Sequence, residues 1–192
     1  LVSNGATLAV MTGNGAYGTG FTTSDITTLL TNLNAPSGGF AAGAMFGIDT
    51  SNGNYTLPVA VSNTQQGALG LTAMGNHTLF VSGTNTYTGT TTVLGGATLE
   101  LQSNTAVSTA STVNVNTNGT LRVDAANTTL GNVTLSGTLV ANASGLNINN
   151  ANFYGTLDLA GNNVSIGTIN DGSYYGPIAG AVNGGGGRIT DS

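Results

Sequence analysis

The chain has 192 residues, a formal net charge of -5 and no cysteine, and its only basic side chains are two arginines. Almost no cation is present to neutralise phosphates, so nucleic-acid binding is excluded, and the lack of thiols excludes a disulfide framework and a thiolate metal site. Hydrophobic residues make up 39% of the chain, enough for one folded domain over residues 1–192, and no apolar run approaches the roughly 20 residues of a membrane span.

A five-residue word, small-Thr-Leu-x-aliphatic, occurs first as ATLAV at residues 6–10. It returns as HTLFV at residues 77–81, so that Thr7 and Thr78 are 71 positions apart. This interval is much longer than the repeats that follow. It therefore predicts an irregular insert over residues 11–60 near the N-terminus.

Within the insert, the segment SDITTLLTNL predicts a short helix over residues 24–33. Ser24 is the expected N-cap, and the charge of Asp25 suits the positive end of a helix. The helix has one apolar face, which consists of Ile26, Leu29, Leu30 and Leu33. Three phenylalanines lie near it in the sequence, namely Phe21, Phe40 and Phe46. These rings either fix the insert to the rest of the fold or form a surface for a partner.

Regular coils are predicted over residues 77–170, because the Thr-Leu word recurs there at intervals of 20, 22, 18 and 18 residues. Its copies are HTLFV (77–81), ATLEL (97–101), GTLRV (119–123), GTLVA (137–141) and GTLDL (155–159). A second alternating segment lies between successive copies, as in TVNV at 112–115. Two short strands in about 20 residues are typical of one coil of a parallel β-solenoid, and a meander sandwich is the alternative.

Alignment of the Thr-Leu words predicts which side chains share one outward column. The column consists of Ala9, Phe80, Glu100, Arg122, Val140 and Asp158. Glu100 and Arg122 are then stacked one coil apart as an ion-pair ladder, at the strand spacing of about 4.8 Å. Glu100 and Asp158 are three coils apart, which is too far for the carboxylate pair of an inverting glycosidase.

The segments SGTNTYTG (82–89), TTV (91–93) and GATLEL (96–101) occur in this order in the chain. Together they resemble the passenger-associated transport repeat of bacterial autotransporter adhesins. This resemblance implies a right-handed parallel β-helix that is exported and displayed on a bacterial surface or shed from it. It also implies adhesive or structural work, without indicating a particular ligand.

The sequence predicts no catalytic, cofactor-binding or metal-binding residue. GNGAYG at residues 13–18 has the spacing of a dinucleotide loop, but no helix begins directly after it and no acidic residue lies near position 35. His77 is the only histidine and has no companion to form a metal site. DTSNGNYT at residues 49–56 resembles a calcium loop, but its glycine is one place early. In the tail, Tyr174 and Tyr175 either contact a glycan or a neighbouring subunit or pack in a corner.

Two functions are consistent with these features. We favour a non-catalytic extracellular β-solenoid with a structural or adhesive role in a bacterial surface protein or fibre, either as an excerpt of a longer passenger or as a protomer that stacks end to end into a filament. The alternative is a polysaccharide-binding or polysaccharide-degrading module that uses Asp124 or Asp158. The expected partners are copies of the chain or neighbouring repeats at the solenoid ends, and host or matrix glycans and proteins. Nucleic acid and membrane insertion are not expected.

Overall fold

The computed structural model describes residues 1–13, 20–170, 181–183 and 189–191. Most of its strands lie in two large sheets. The nine-stranded sheet contains, in spatial order, β1 (Thr7–Met11), β2 (Ala44–Asp49), β4 (Leu69–Met74), β6 (Thr91–Val93), β8 (Thr112–Val115), β10 (Thr129–Leu135), β12 (Leu146–Phe153), β14 (Val164–Asn170) and β16 (Ile189–Asp191). The seven-stranded sheet contains β3 (Tyr55–Leu57), β5 (Thr78–Val81), β7 (Thr98–Leu101), β9 (Thr120–Val123), β11 (Thr138–Ala141), β13 (Thr156–Asp158) and β15 (Ala181–Asn183).

The chain visits the two sheets alternately from β2 onward, and neighbouring strands of one sheet pair in parallel. Each coil therefore adds one strand to each sheet. This arrangement is an all-β parallel β-solenoid, which confirms the predicted fold class. The second alternating segments of the sequence form the nine-stranded sheet, and the Thr-Leu words from residue 77 onward form the seven-stranded sheet.

The interior is formed by side chains that stack from coil to coil. One such column in the seven-stranded sheet contains Leu79, Leu99, Leu121, Leu139 and Leu157 in direct register. These leucines are at most 1% exposed. Burial of one leucine side chain contributes about 2 kcal/mol. Repetition of the same apolar position in each coil thus builds one continuous core.

The helix α1 (Thr23–Leu33) lies in the connection between β1 and β2. Its N-cap is Thr22, two residues before the predicted Ser24. The Thr22 hydroxyl accepts a hydrogen bond from the Asp25 N–H at 3.3 Å, and the Asp25 carboxylate accepts one from the Thr22 N–H at 2.9 Å. This reciprocal capping box replaces the predicted Ser24 cap. Hydrogen bonds from Thr22 also lower the pKa of Asp25, because they stabilise its charged form.

The predicted apolar face of α1 is confirmed by its packing. Ile26 is entirely buried, and Leu29, Leu30 and Leu33 are partly buried against the core. Thr23 Oγ1 lies 2.9 Å from Tyr55 Oη of β3. The helix therefore lies against the first coil of the solenoid. Among the described residues, no helix is both long enough and apolar enough to cross a bilayer.

Two predictions about the N-terminal part were wrong in their details. The irregular insert was predicted too wide, since β2 and β3 lie inside residues 11–60 and pair with β4 and β5. The first Thr-Leu word, which contains Ala9, belongs to the nine-stranded sheet, where Ala9 pairs with Gly47. It therefore does not share a column with Phe80. A short word with period-two alternation fits either sheet, so the word alone could not assign it.

Candidate functional site

The SGTNTYTG segment lies in the connection between β5 and β6, and its asparagine joins three coils. Asn85 is 4% exposed. Its Oδ1 accepts a hydrogen bond from the Val61 N–H at 2.6 Å, and its Nδ2 donates to the Ala106 carbonyl oxygen at 2.6 Å. Val61 lies in the equivalent connection of the previous coil, between β3 and β4, and Ala106 lies in that of the next coil, between β7 and β8. Asn85 thus satisfies buried backbone groups of both neighbours.

The tyrosine of the same segment fills the core and begins a chain of hydroxyl groups. Tyr87 is 0% exposed, and its Oη lies 2.6 Å from Thr91 Oγ1, which lies 2.8 Å from Ser111 Oγ. The Ser111 hydroxyl donates to the Gly89 carbonyl oxygen at 2.7 Å. Since each hydroxyl has one proton, Ser111 accepts from Thr91, and Thr91 accepts from Tyr87. Burial raises the pKa of Tyr87 despite the hydrogen bond to Thr91.

A glycine ends the segment where two coils approach closely. A Cβ atom on Gly89 would lie 2.5 Å from the backbone of Leu69, a distance that a side chain does not tolerate. Asn85, Tyr87 and Gly89 are therefore all used for packing between coils. The SGTNTYTG segment, which is part of the family resemblance, is a structural element in this protein. None of these three residues is presented to a ligand.

The predicted ion-pair ladder is present on the seven-stranded sheet. Glu100 pairs with Arg122 in the strand register, and Arg122 Nε lies 3.6 Å from Glu100 Oε2. A second and shorter ion pair joins Arg122 Nη2 to Asp124 Oδ2 at 3.0 Å. Arg122 thus lies between two carboxylates. The Arg122 side chain is 40% exposed, so each pair contributes little to stability.

The candidate partner-contact residues differ in their exposure. Phe40 and Phe46 are 0% exposed and pack edge to face with ring centroids 6.1 Å apart. Of the two alternatives predicted for these rings, Phe40 and Phe46 therefore follow the first: both belong to the core, and neither is available to contact a partner. Phe21 is 40% exposed and remains accessible. Tyr174 and Tyr175 lie outside the described residues.

Phe21 lines a groove between the first coil and α1 that the sequence did not indicate. The groove has a volume of about 600 Å³ and is lined by Met11, Gly20, Phe21, Asp25, Thr28, Leu29 and Asn32. Met11 is 44% exposed. The groove exists because the helix packs beside β1, and this tertiary contact has no signal in the local sequence.

The polar groups considered for catalysis or metal binding have local structural partners. His77 Nδ1 lies 2.9 Å from the Thr50 carbonyl oxygen. The Asp49 carboxylate accepts hydrogen bonds from the N–H and the hydroxyl of Ser51 at 2.9 and 2.6 Å. In the part of the chain that the structure describes, no three His, Cys, Asp or Glu side chains group as metal ligands. Most of the GNGAYG segment falls outside that part.

The outer side of strands β10, β12 and β14 carries three rows of amide and hydroxyl side chains, and Ile169 of β14 is a further residue that is 38% exposed. One residue of each strand occupies each row: Thr129, Asn147 and Ser165; Asn132, Asn150 and Thr168; Thr134, Asn152 and Asn170. We call these nine residues the amide-hydroxyl face. All nine are exposed or half-buried. Asn150 Nδ2 donates to Asn132 Oδ1 at 2.8 Å, which links two neighbouring strands.

A shallow groove adjoins the amide-hydroxyl face at one end of its strands. It has a volume of about 420 Å³ and is lined by Ser144, Gly145, Leu146, Asn147, Gly161, Asn162, Asn163 and Ser165. Asn147 and Ser165 belong to both the face and the groove. At the other end of β12, Tyr154 is 52% exposed. The alternation in the sequence predicted these strands, but the Thr-Leu words indicate shared columns only on the other sheet, so their outward residues were not expected to form one face.

The fold places the chain in the class of parallel β-solenoid proteins, with a helix packed on its first coil. No protein-family model matches the chain, and no curated protein or solved structure is significantly similar to it.

Proposed function

We propose that this chain is a non-catalytic, extracellular β-solenoid with a structural and adhesive role in a bacterial surface protein or fibre. The observation that carries the proposal is the continuous parallel register of both sheets, from β1 to β16 and from β3 to β15. In such an array each coil contacts its neighbours, and stability accumulates along the axis. A long, regular body of this kind suits the display of a repeated outer surface.

Two features of the chain support the extracellular and adhesive parts of the proposal. The SGTNTYTG, TTV and GATLEL segments resemble the repeat of exported adhesins, and their buried residues serve the solenoid itself. The outer surface is poor in charge, since lysine is absent and nine formally charged side chains occur in 192 residues. Adhesion would then depend on neutral polar groups, and filament formation on contacts between coils of different copies.

Location can be tested with antibodies raised against the purified chain. Immunogold electron microscopy of intact source cells is expected to label the cell surface or the surrounding matrix. Labelling that appears only after the cells are permeabilised would contradict the proposal. Electron microscopy of the purified chain then separates filaments from single rods.

The competing function, polysaccharide degradation, can be tested by assay of reducing ends released from polysaccharides. We expect no release above that of the heat-treated protein. Release that is abolished by Asp158→Asn or Asp124→Asn would show that the protein is an enzyme. Asp49→Asn is the matched control, since the Asp49 carboxylate is held by Ser51 in the loop.

A further inference from the structure

The coils that form the amide-hydroxyl face are almost free of charge. Asp158 is the single charged residue between positions 125 and 170, and it belongs to the seven-stranded sheet. The ion pairs of Arg122 lie on that sheet and in the connection after it. The face therefore attracts neither polyanions nor polycations by charge. A complementary partner is an uncharged molecule that is rich in hydrogen-bonding groups.

The amides of the face can bind hydroxyl groups in both directions. An asparagine side chain has two donor hydrogens and an acceptor oxygen with two lone pairs. Asn150 uses one donor for Asn132, and Asn152 Nδ2 donates to Thr134 Oγ1 at 3.4 Å. These bonds orient the amides along the solenoid axis and leave further hydrogen-bonding capacity. Neighbouring hydroxyls of a sugar also act as both donors and acceptors.

The spacing of the face suits an extended polymer. Within each row, successive residues are separated by the strand spacing of about 4.8 Å. This distance is close to the length of one sugar residue in an extended chain. A polysaccharide that runs along the axis would therefore meet an equivalent amide or hydroxyl at each coil. The adjoining groove, lined by serine, glycine and asparagine residues and Leu146, provides a concave border along one side of this track.

An exposed aromatic ring lies at the edge of the face. Tyr154 follows the last residue of β12 and is 52% exposed. Aromatic rings in binding sites supply apolar contact area together with a polar tip, and the C–H side of a sugar ring can stack on such a surface. Tyr154 thus supplies the apolar contact that the amides lack.

We propose that the amide-hydroxyl face, with Tyr154 and the adjoining groove, is a binding site for a neutral extracellular polysaccharide. This inference rests on the proposed adhesive function and assigns it to one side of the solenoid. The site binds the polymer along several coils, and each coil contributes a weak contact. The binding strength consequently increases with polymer length.

The experiment is affinity electrophoresis of the purified full chain in gels that contain a soluble β-1,4-glucan, β-1,3-glucan or mannan, with polygalacturonate as the anionic comparison. We expect at least one neutral polymer to retard the chain and polygalacturonate not to do so. Tyr154→Ala and the double variant Asn147→Asp with Asn150→Asp are expected to weaken retardation about tenfold. Asn76→Asp is the control, because Asn76 is exposed in the connection between β4 and β5, away from strands β10, β12 and β14.

Each other result overturns the inference. Retardation that is equal in Tyr154→Ala, the double variant and Asn76→Asp would place the binding elsewhere on the molecule. Stronger binding of polygalacturonate would contradict the argument from charge. No retardation by any neutral polymer, together with self-association in sedimentation velocity that the double variant abolishes, would make the face a contact between copies. No retardation without self-association would leave the face without its proposed partner. The immunogold result tests the surface location separately, so the two proposals can fail independently.

Discussion

Tyr87 Oη lies 2.6 Å from Thr91 Oγ1 in the interior of the solenoid. This contact begins the hydroxyl chain that passes through Ser111 to the Gly89 carbonyl oxygen. It joins strand β6 to the loop before it and to the next coil. The hydrogen bonds satisfy polar groups that would otherwise be buried without partners.

Tyr87→Phe is expected to lower the free energy of unfolding by about 1 kcal/mol. The ring remains in place, but Thr91 loses the hydroxyl that donates to it. Urea denaturation followed by circular dichroism measures the change. Tyr154→Phe is the control, because its ring is exposed, and it should leave the midpoint unchanged. Equal losses in both variants would argue against the buried hydroxyl chain.

Stability is also expected to fall at alkaline pH because of Tyr87. Burial raises its pKa above the ordinary value of 10.0, so the folded state favours the neutral phenol. The contribution of the neutral Tyr87 phenol to folding stability is therefore fully present below pH 10.0. It is lost as the pH rises toward the pKa of Tyr87 in the folded state. Tyr55 contributes in the same direction, because desolvation raises its pKa too. Urea titrations at increasing pH should show a steeper loss in the native chain than in Tyr87→Phe, and identical slopes would refute this role.

Asn85→Ala is expected to destabilise the chain more than any exposed asparagine variant. It leaves the Val61 N–H and the Ala106 carbonyl oxygen buried without their partner, which costs about 2 to 4 kcal/mol in total. The matched control is Asn149→Ala, because Asn149 is exposed on β12. Urea midpoints of the two variants provide the comparison. A loss below about 0.5 kcal/mol for Asn85→Ala would show that the hydrogen bonds of Asn85 do not hold the coils together.

Thr22→Ala is expected to destabilise α1 by about 1 kcal/mol, since it removes the hydroxyl that caps the helix. Ser24→Ala is expected to have little effect, because Ser24 lies inside the first turn. Hydrogen exchange of the helix amides measures both variants. The cap should also weaken in acid, because the pKa of Asp25 is lowered from 3.8 and its stabilisation is lost as the pH falls through the folded-state pKa. Faster exchange in Ser24→Ala than in Thr22→Ala would contradict the observed capping box.

Arg122→Met is expected to cost about 1 kcal/mol at low ionic strength and less at high ionic strength. The substitution leaves Glu100 and Asp124 without the cation between them. Val140→Thr tests an outward position one coil later in the same column and should show no salt dependence. Urea midpoints across a salt series measure both variants. A salt-independent loss in Arg122→Met would indicate that packing of the side chain, and not its charge, is responsible.

The register of the regular coils was predictable from the sequence because their five-residue word recurs in one frame. A shift of one residue would turn every inward leucine toward solvent, so Leu99 and Leu121 had to pair directly. This pairing placed Glu100 beside Arg122 and confirmed that ladder. Ala9 could not be assigned in the same way, since the first Thr-Leu word is separated from the others by a long connection. Its alternation fits either sheet equally well.

The sequence by itself favoured the parallel solenoid over a meander sandwich and indicated the coil spacing and the apolar face of α1, because each follows from a repeated period of apolar residues. The tertiary structure alone decided that Phe40 and Phe46 are core residues and that Asn85 serves three coils. It also decided that nine polar side chains form one face. These relationships join residues far apart in the chain, and a buried ring and an exposed ring have the same local sequence signal. Whether an aromatic or polar residue is buried or exposed depends on the coil that packs above or below it. That packing is established only when the chain folds.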